Sequence, residues 1–146
     1  MCGIAGMVMA DGKTPPSSAI DTMLAAMAHR GPDGHGRYDA PGIALAQARL
    51  AIIDLQTGDQ PLFGPNGSVL VANGEIYNYI ELKREFPGVN FATKSDCELP
   101  LYAYARDGAR FAHDLRGMYG IAMQAGEGTP YLPRDPFGIK PVYYAD

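Results

Sequence analysis

The chain has 146 residues, 47% of them hydrophobic and 19% charged, with a formal net charge of −4; this describes one globular domain long enough to bury a core. The acidic balance argues against a nucleic-acid or anionic-membrane surface, no apolar run approaches the length of a membrane span, and the start lacks the basic region and processing site of a signal peptide. Two cysteines, Cys2 and Cys97, cannot form a disulfide framework, so a reducing, cytoplasmic compartment is expected.

In chain order, Gly3 to Met9 is short, apolar and glycine-punctuated, which suits a buried strand. After the turn Asp11-Gly12, Pro15-Pro16-Ser17 announces a helix capped by Ser17 or Ser18. Ile20, Met23, Leu24 and Met27 form its apolar stripe, and Gly31 and Pro32 stop it near His29. The segment Arg30 to Gly36 carries too many breakers for regular structure. Ile43 to Asp54 is apolar and β-compatible, interrupted by Gln47 and Arg49. A turn-rich stretch from Gln56 to Gly67 precedes a strand over Ser68–Ala72. A short helix is expected over Tyr79–Phe86, a strand over Phe91–Thr93, and a helix from Cys97 to Arg106 with Asp96 as its cap. Tyr119–Gln124 and Tyr131–Arg134 read as a hairpin around Gly126-Glu127-Gly128, and Val142–Ala145 as a last strand. Strand groups with helices between them predict sheets under helical cover, an α+β architecture.

Cys2 directly follows Met1. Removal of one residue would put a thiol and a free α-amine on the same amino acid, so the nucleophile would carry its own base. That amine titrates at about 7.7–8.0, leaving a fraction as free base near neutral pH without any burial.

The other segments expected to carry chemistry are NGEIYNY (Asn73 to Tyr79), ARLAIIDL (Ala48 to Leu55) with one cation in an apolar run, and SDCE (Ser95 to Glu98) with an acid at a helix start. With MCGIAG, RGPDGHG and RDPFGIKPVYY they occur in one order along nearly the whole chain. In this the chain resembles the class II glutamine amidotransferase domain of the asparagine synthetase type. NGEIYNY and LAIIDLQTGDQP place it nearer that branch than the phosphoribosyl- or fructose-phosphate-linked amidotransferases.

The resemblance implies an N-terminal-nucleophile hydrolase fold, a four-layer αββα sandwich of two antiparallel sheets. It implies that glutamine is hydrolysed to glutamate, with the ammonia passed to an attached synthetase domain. Cys2 would be the nucleophile, and Asn73 and Gly74 would supply side-chain and backbone N–H groups to the oxyanion. Arg49 would grip the glutamine α-carboxylate, where a planar fork suits two oxygens. Asp96 and Glu75 would receive the α-ammonium, and the backbone at Ile52 and Ile53 would line the pocket. No cofactor or metal is implied for this domain; ATP and magnesium would belong to the synthetase part, whose acid substrate defaults to aspartate.

Each assignment has a plainer alternative. Cys2 could be a small buried hydrophobe, Asn73-Gly74 a turn pair, Arg49 a structural ion-pair partner and Asp96 an N-cap. Cys97, His29 and His35 lack metal-type spacing with Cys2. Arg30 to Asp33 is similar to a segment covering the glutamine site in the family, or is a surface loop. Pro100 and Pro133 depart from the family pattern. Pro100 would cost a capped Asp96 helix its first hydrogen bond, and Pro133 marks an edge or bulged strand. The family domain continues beyond KPVYY, so a C-terminally truncated fragment is expected. Two rivals follow: a non-catalytic glutamine-binding or regulatory module that keeps Met1, and a thiol hydrolase acting on another amide.

Overall fold

The computed structural model describes residues 1–126 and 130–146. Two three-stranded antiparallel sheets form its centre. In the first, β1 (Gly3–Val8) and β2 (Gly34–Ala40) flank β3 (Ile43–Arg49); in the second, β4 (Leu62–Phe63) and β6 (Gly117–Gln124) flank β5 (Val69–Ile76). Helix α1 (Ser17–Met27) packs on the first sheet; α2 (Tyr79–Lys83) and α3 (Leu99–Asp107) accompany the second.

Side-chain alternation along the strands divides the core into three. On β3, Ala44 and Ala46 face Ile20, Met23 and Leu24 of α1. Ile43 and Leu45 point the other way and meet Val69 and Val71 of β5, with Ile4, Tyr38 and Ala122 beside them. The opposite face of the second sheet, with Leu70, Ala72, Tyr119, Ile121 and Met123, packs on Leu101, Ala103 and Phe111. Both sheets are therefore sandwiched, which is why β3 is buried at every position and reads as a continuous apolar run.

Several expectations need correction. Strand β2 begins inside the segment expected to be irregular. Its Gly34 and Gly36 offer no apolar alternation, and it forms because β3 supplies a ladder from Gly34↔Arg49 to Ala40↔Ile43. β3 ends at Arg49 rather than Asp54, and β5 runs on to Ile76, so Asn73-Gly74 is strand and not turn. Pro16, not a serine, is the N-cap of α1. Residues 91–93 form no strand, because the Ala92 and Thr93 N–H groups both donate at 2.7 Å to the buried Glu98 carboxylate. Residues 142–145 have no regular structure, and Tyr143 and Tyr144 are exposed. Tyr131–Arg134 touches β6 through two isolated bridges, Met123↔Tyr131 and Gly120↔Arg134, with Pro133 between them. The expected hairpin loop at Gly126-Glu127-Gly128 lies mostly outside the described residues. No described helix is long and apolar enough to cross a membrane.

Candidate active site

The alternation that builds the inter-sheet core also builds the site. Position 4 of β1 faces the second sheet, so Cys2 lies on that side; Ile43 and Leu45 set the same side for Gln47 and Arg49; Val69 and Val71 set it for Asn73 and Glu75. At one end of the cleft the apolar residues give way to these polar ones. There, Cys2, Gln47, Arg49, Asn73, Gly74, Glu75 and Asp96 line a pocket of about 140 Å³, with Ile52, Ile53, Cys97 and Lys140. All eight residues expected at the site border this one cavity.

The Cys2 thiol is held at the end of β3, accepting from the Leu50 N–H at 3.3 Å and donating to the Leu50 carbonyl at 3.5 Å. Arg30 fixes the backbone beside it, its Nε donating to the Cys2 carbonyl at 3.2 Å. Asp33 accepts the Ala51 N–H at 2.8 Å, and its own N–H donates to the Arg49 carbonyl. The Arg30 to Asp33 segment thus braces the backbone at Cys2, Arg49 and Ala51, and none of its residues lines the pocket.

Asn73 is buried and its carboxamide makes no hydrogen bond to another described residue, which leaves its N–H groups available to a ligand. Gly74 is required by close approach: a Cβ there would sit 2.1 Å from the Met118 carbonyl oxygen. No other residue lets β5 lie against β6 at this point.

Arg49 lies at the end of β3 with its side chain 10% exposed; Nη1 donates to Asp59 Oδ1 at 2.6 Å and Nη2 to the Asp54 carbonyl. The loop between β3 and β4 is clasped on two sides. Gln60 Oε1 accepts the Ala72 N–H at 2.6 Å. Asp54, in a left-handed conformation at φ 54°, accepts from the Thr57 N–H and hydroxyl and, at 2.8 Å, from the Lys94 N–H. Burial pushes the Asp54 carboxyl up, but these donors outweigh it and hold it below the ordinary range.

Asp96 is not the helix cap. Ser95 caps a 3₁₀ turn over Asp96–Glu98 by accepting the Cys97 N–H at 3.2 Å, and α3 starts only at Leu99. Pro100 then falls in the first turn, where its missing N–H costs nothing. Freed from capping, the Asp96 carboxylate is 2% exposed and accepts the Ile76 N–H at 2.7 Å. Burial raises its pKa, only partly opposed by the Ile76 N–H. A ligand cation would reverse that shift, as expected for an ammonium receptor. Its neighbour Cys97 is buried and its thiol is pushed well up, chiefly by desolvation, which disfavours the thiolate there.

Among the pocket residues that sequence reasoning did not place at the site are Gln47 and Lys140. Gln47 donates from Nε2 to the Ala72 carbonyl at 2.9 Å while its buried Oε1 has no partner; it registered only as a polar break in an apolar run. Lys140 is 5% exposed and its Nζ donates to Met1 Sδ at 2.8 Å. Asp135, accepting the Lys140 and Ile139 N–H groups, sets the loop that carries it. The signal was the late RDPFGIKPVYY segment, whose lysine lies 138 residues from Cys2 in sequence.

The chain belongs to the glutamine amidotransferase domain family, whose pattern matches across residues 1–146, and its two antiparallel sheets with helices are consistent with that. Its relatives include asparagine synthetase [glutamine-hydrolyzing] 2 of Bacillus subtilis, 38% identical over all of this chain. They also include asparagine synthetase B [glutamine-hydrolyzing] of Escherichia coli, at 39% over 98% of this chain, and the Sandersonia aurantiaca asparagine synthetase [glutamine-hydrolyzing], at 36% over 98%. The chain spans 20%, 26% and 28% of those three proteins, respectively.

Proposed function

We propose that the chain is the glutaminase portion of an asparagine synthetase-like enzyme, with Cys2 as an N-terminal nucleophile. The observation that carries this reading is the convergence of a thiol, an uncommitted amide, a buried guanidinium and a buried carboxylate at one end of the inter-sheet cleft. The layering of helices outside paired sheets supports the N-terminal-nucleophile hydrolase fold, the αββα sandwich expected from sequence.

Arg49 takes the glutamine α-carboxylate and Asp96, with Glu75, the α-ammonium. Once Met1 is gone, the Cys2 α-amine accepts the thiol proton and sulfur attacks the side-chain carboxamide carbon. Asn73 and the Gly74 N–H stabilise the oxyanion. The C–N bond breaks as the new ammonium returns a proton to the leaving nitrogen, and ammonia departs. Water then attacks the thioester, releasing glutamate and restoring the thiol. Ammonia passes to a synthetase portion, in which ATP and magnesium act and aspartate is the default acceptor. A cytoplasmic setting fits this chemistry.

While Met1 remains, the Cys2 nitrogen is an amide and no base. A second reading is a glutamine-binding module that keeps Met1, with which the Met1–Lys140 contact is compatible. Purified chain, sorted by intact mass and assayed for glutamate and ammonia release from glutamine, separates the two. Turnover should follow the fraction lacking Met1, whereas full turnover by Met1-bearing chain contradicts the mechanism.

A further inference from the structure

The guanidinium assigned to the substrate carboxylate already holds one. Asp59 Oδ1 stands 2.6 Å from Arg49 Nη1, and the Asp54 carbonyl takes Nη2. The two partners are unequally buried: the Arg49 side chain is 10% exposed and that of Asp59 82%. A buried cation without a partner is costly, whereas an exposed carboxylate rehydrates easily once released. Exchange of one carboxylate for another would keep Arg49 paired throughout and return Asp59 to water. The chain at this point is shaped for the contact. A Cβ on Gly58 would lie 2.9 Å from Arg49 Nη2 and 2.8 Å from the Asp54 carbonyl oxygen. A side chain at position 58 would therefore push the segment carrying Asp59 off the guanidinium.

We infer that Asp59 is an internal competitor for the α-carboxylate subsite, seated on Arg49 in the free protein and displaced by glutamine. It raises the glutamine concentration needed for saturation. A ligand without an α-carboxylate has nothing to exchange and leaves Asp59 in place. The inference rests on reading Arg49 as the carboxylate receptor.

The test uses Met1-free protein, ammonia release from glutamine, and competitive inhibition by glutamine α-carboxamide, which lacks the carboxylate. Asp59→Asn and Asp59→Ala should each lower KM for glutamine by about two- to fivefold, the range of a solvent-facing ion pair. The inhibition constant of the carboxamide should not move. A KM that is unchanged or raised in both variants overturns the inference, because Asp59 would then only orient Arg49. An equal gain for both ligands overturns it as well, since the effect would not depend on the carboxylate. If the wild-type protein binds the carboxamide as tightly as glutamine, the Arg49 assignment itself fails, a separate result.

Discussion

Along β3 the residues facing the second sheet are Ile43, Leu45, Gln47 and Arg49; along β5 the residues facing back are Val69, Val71, Asn73 and Glu75. Each series starts apolar and ends polar without any change of strand, face or register. At the apolar end the side chains seal the two sheets together; at the polar end the same backbone presents groups that the fold leaves partly unused, such as the Asn73 carboxamide and Gln47 Oε1. Stability and chemistry are therefore divided along the length of the strands rather than between separate elements. Strands on both sides hold these polar groups in fixed positions, which is what the proposed catalysis requires.

Crossing the two ends tests that division. Asn73→Ala should lower kcat for glutamine hydrolysis on the order of 100- to 1000-fold while the melting temperature stays close to wild type. Leu45→Ala, at the apolar end, should instead cost about 2–5 kcal/mol in urea unfolding and leave KM of the folded fraction unaltered. A large stability loss from Asn73→Ala would show that the polar end also carries the fold.

Asp96 gives a subtler test through pH. Burial raises its carboxyl above the ordinary range, and on the proposed reading only the ionised form pairs with the glutamine ammonium. On lowering the pH, kcat/KM should therefore fall earlier than an exposed aspartate would dictate. For stability the sign is opposite. A carboxyl whose folded pKa is raised favours the folded state below its unfolded pKa, and that benefit is lost as pH rises through the folded value. Asp96→Asn should thus be neutral or slightly stabilising at pH 7 while reducing kcat/KM. A protein destabilised at pH 7 by this change would mean that the charge, not only the Ile76 contact, supports the fold.

How much of this could be read from the sequence varied with the kind of signal. Buried strands and the α1 stripe were legible because apolar patterning reports burial directly; of the residues expected at the site, Cys2 stood out by its place behind Met1, and the others were named through the resemblance that their motifs carry. β2 was missed because an edge strand with Gly34, Gly36, Arg37 and Asp39 has no alternation to read; its partner specifies it. The assignment of Asp96 as a cap failed because Ser95, one residue earlier, makes the same kind of bond. Glu98 consumed the N–H groups of an expected strand. Lys140 reaches the pocket, and Asp59 reaches Arg49, through loop geometry, which residue order alone does not convey.

The claim at the centre of this account is that one thiol at the polar end of the cleft performs the reaction. Glutamate and ammonia release from glutamine, measured on mass-verified, Met1-free protein beside its Cys2→Ala variant, tests it most directly. The account predicts stoichiometric release by the wild type and loss of about 10⁴-fold or more in the variant, with both chains melting alike. Glutamine hydrolysis that survives the loss of Cys2 would contradict it.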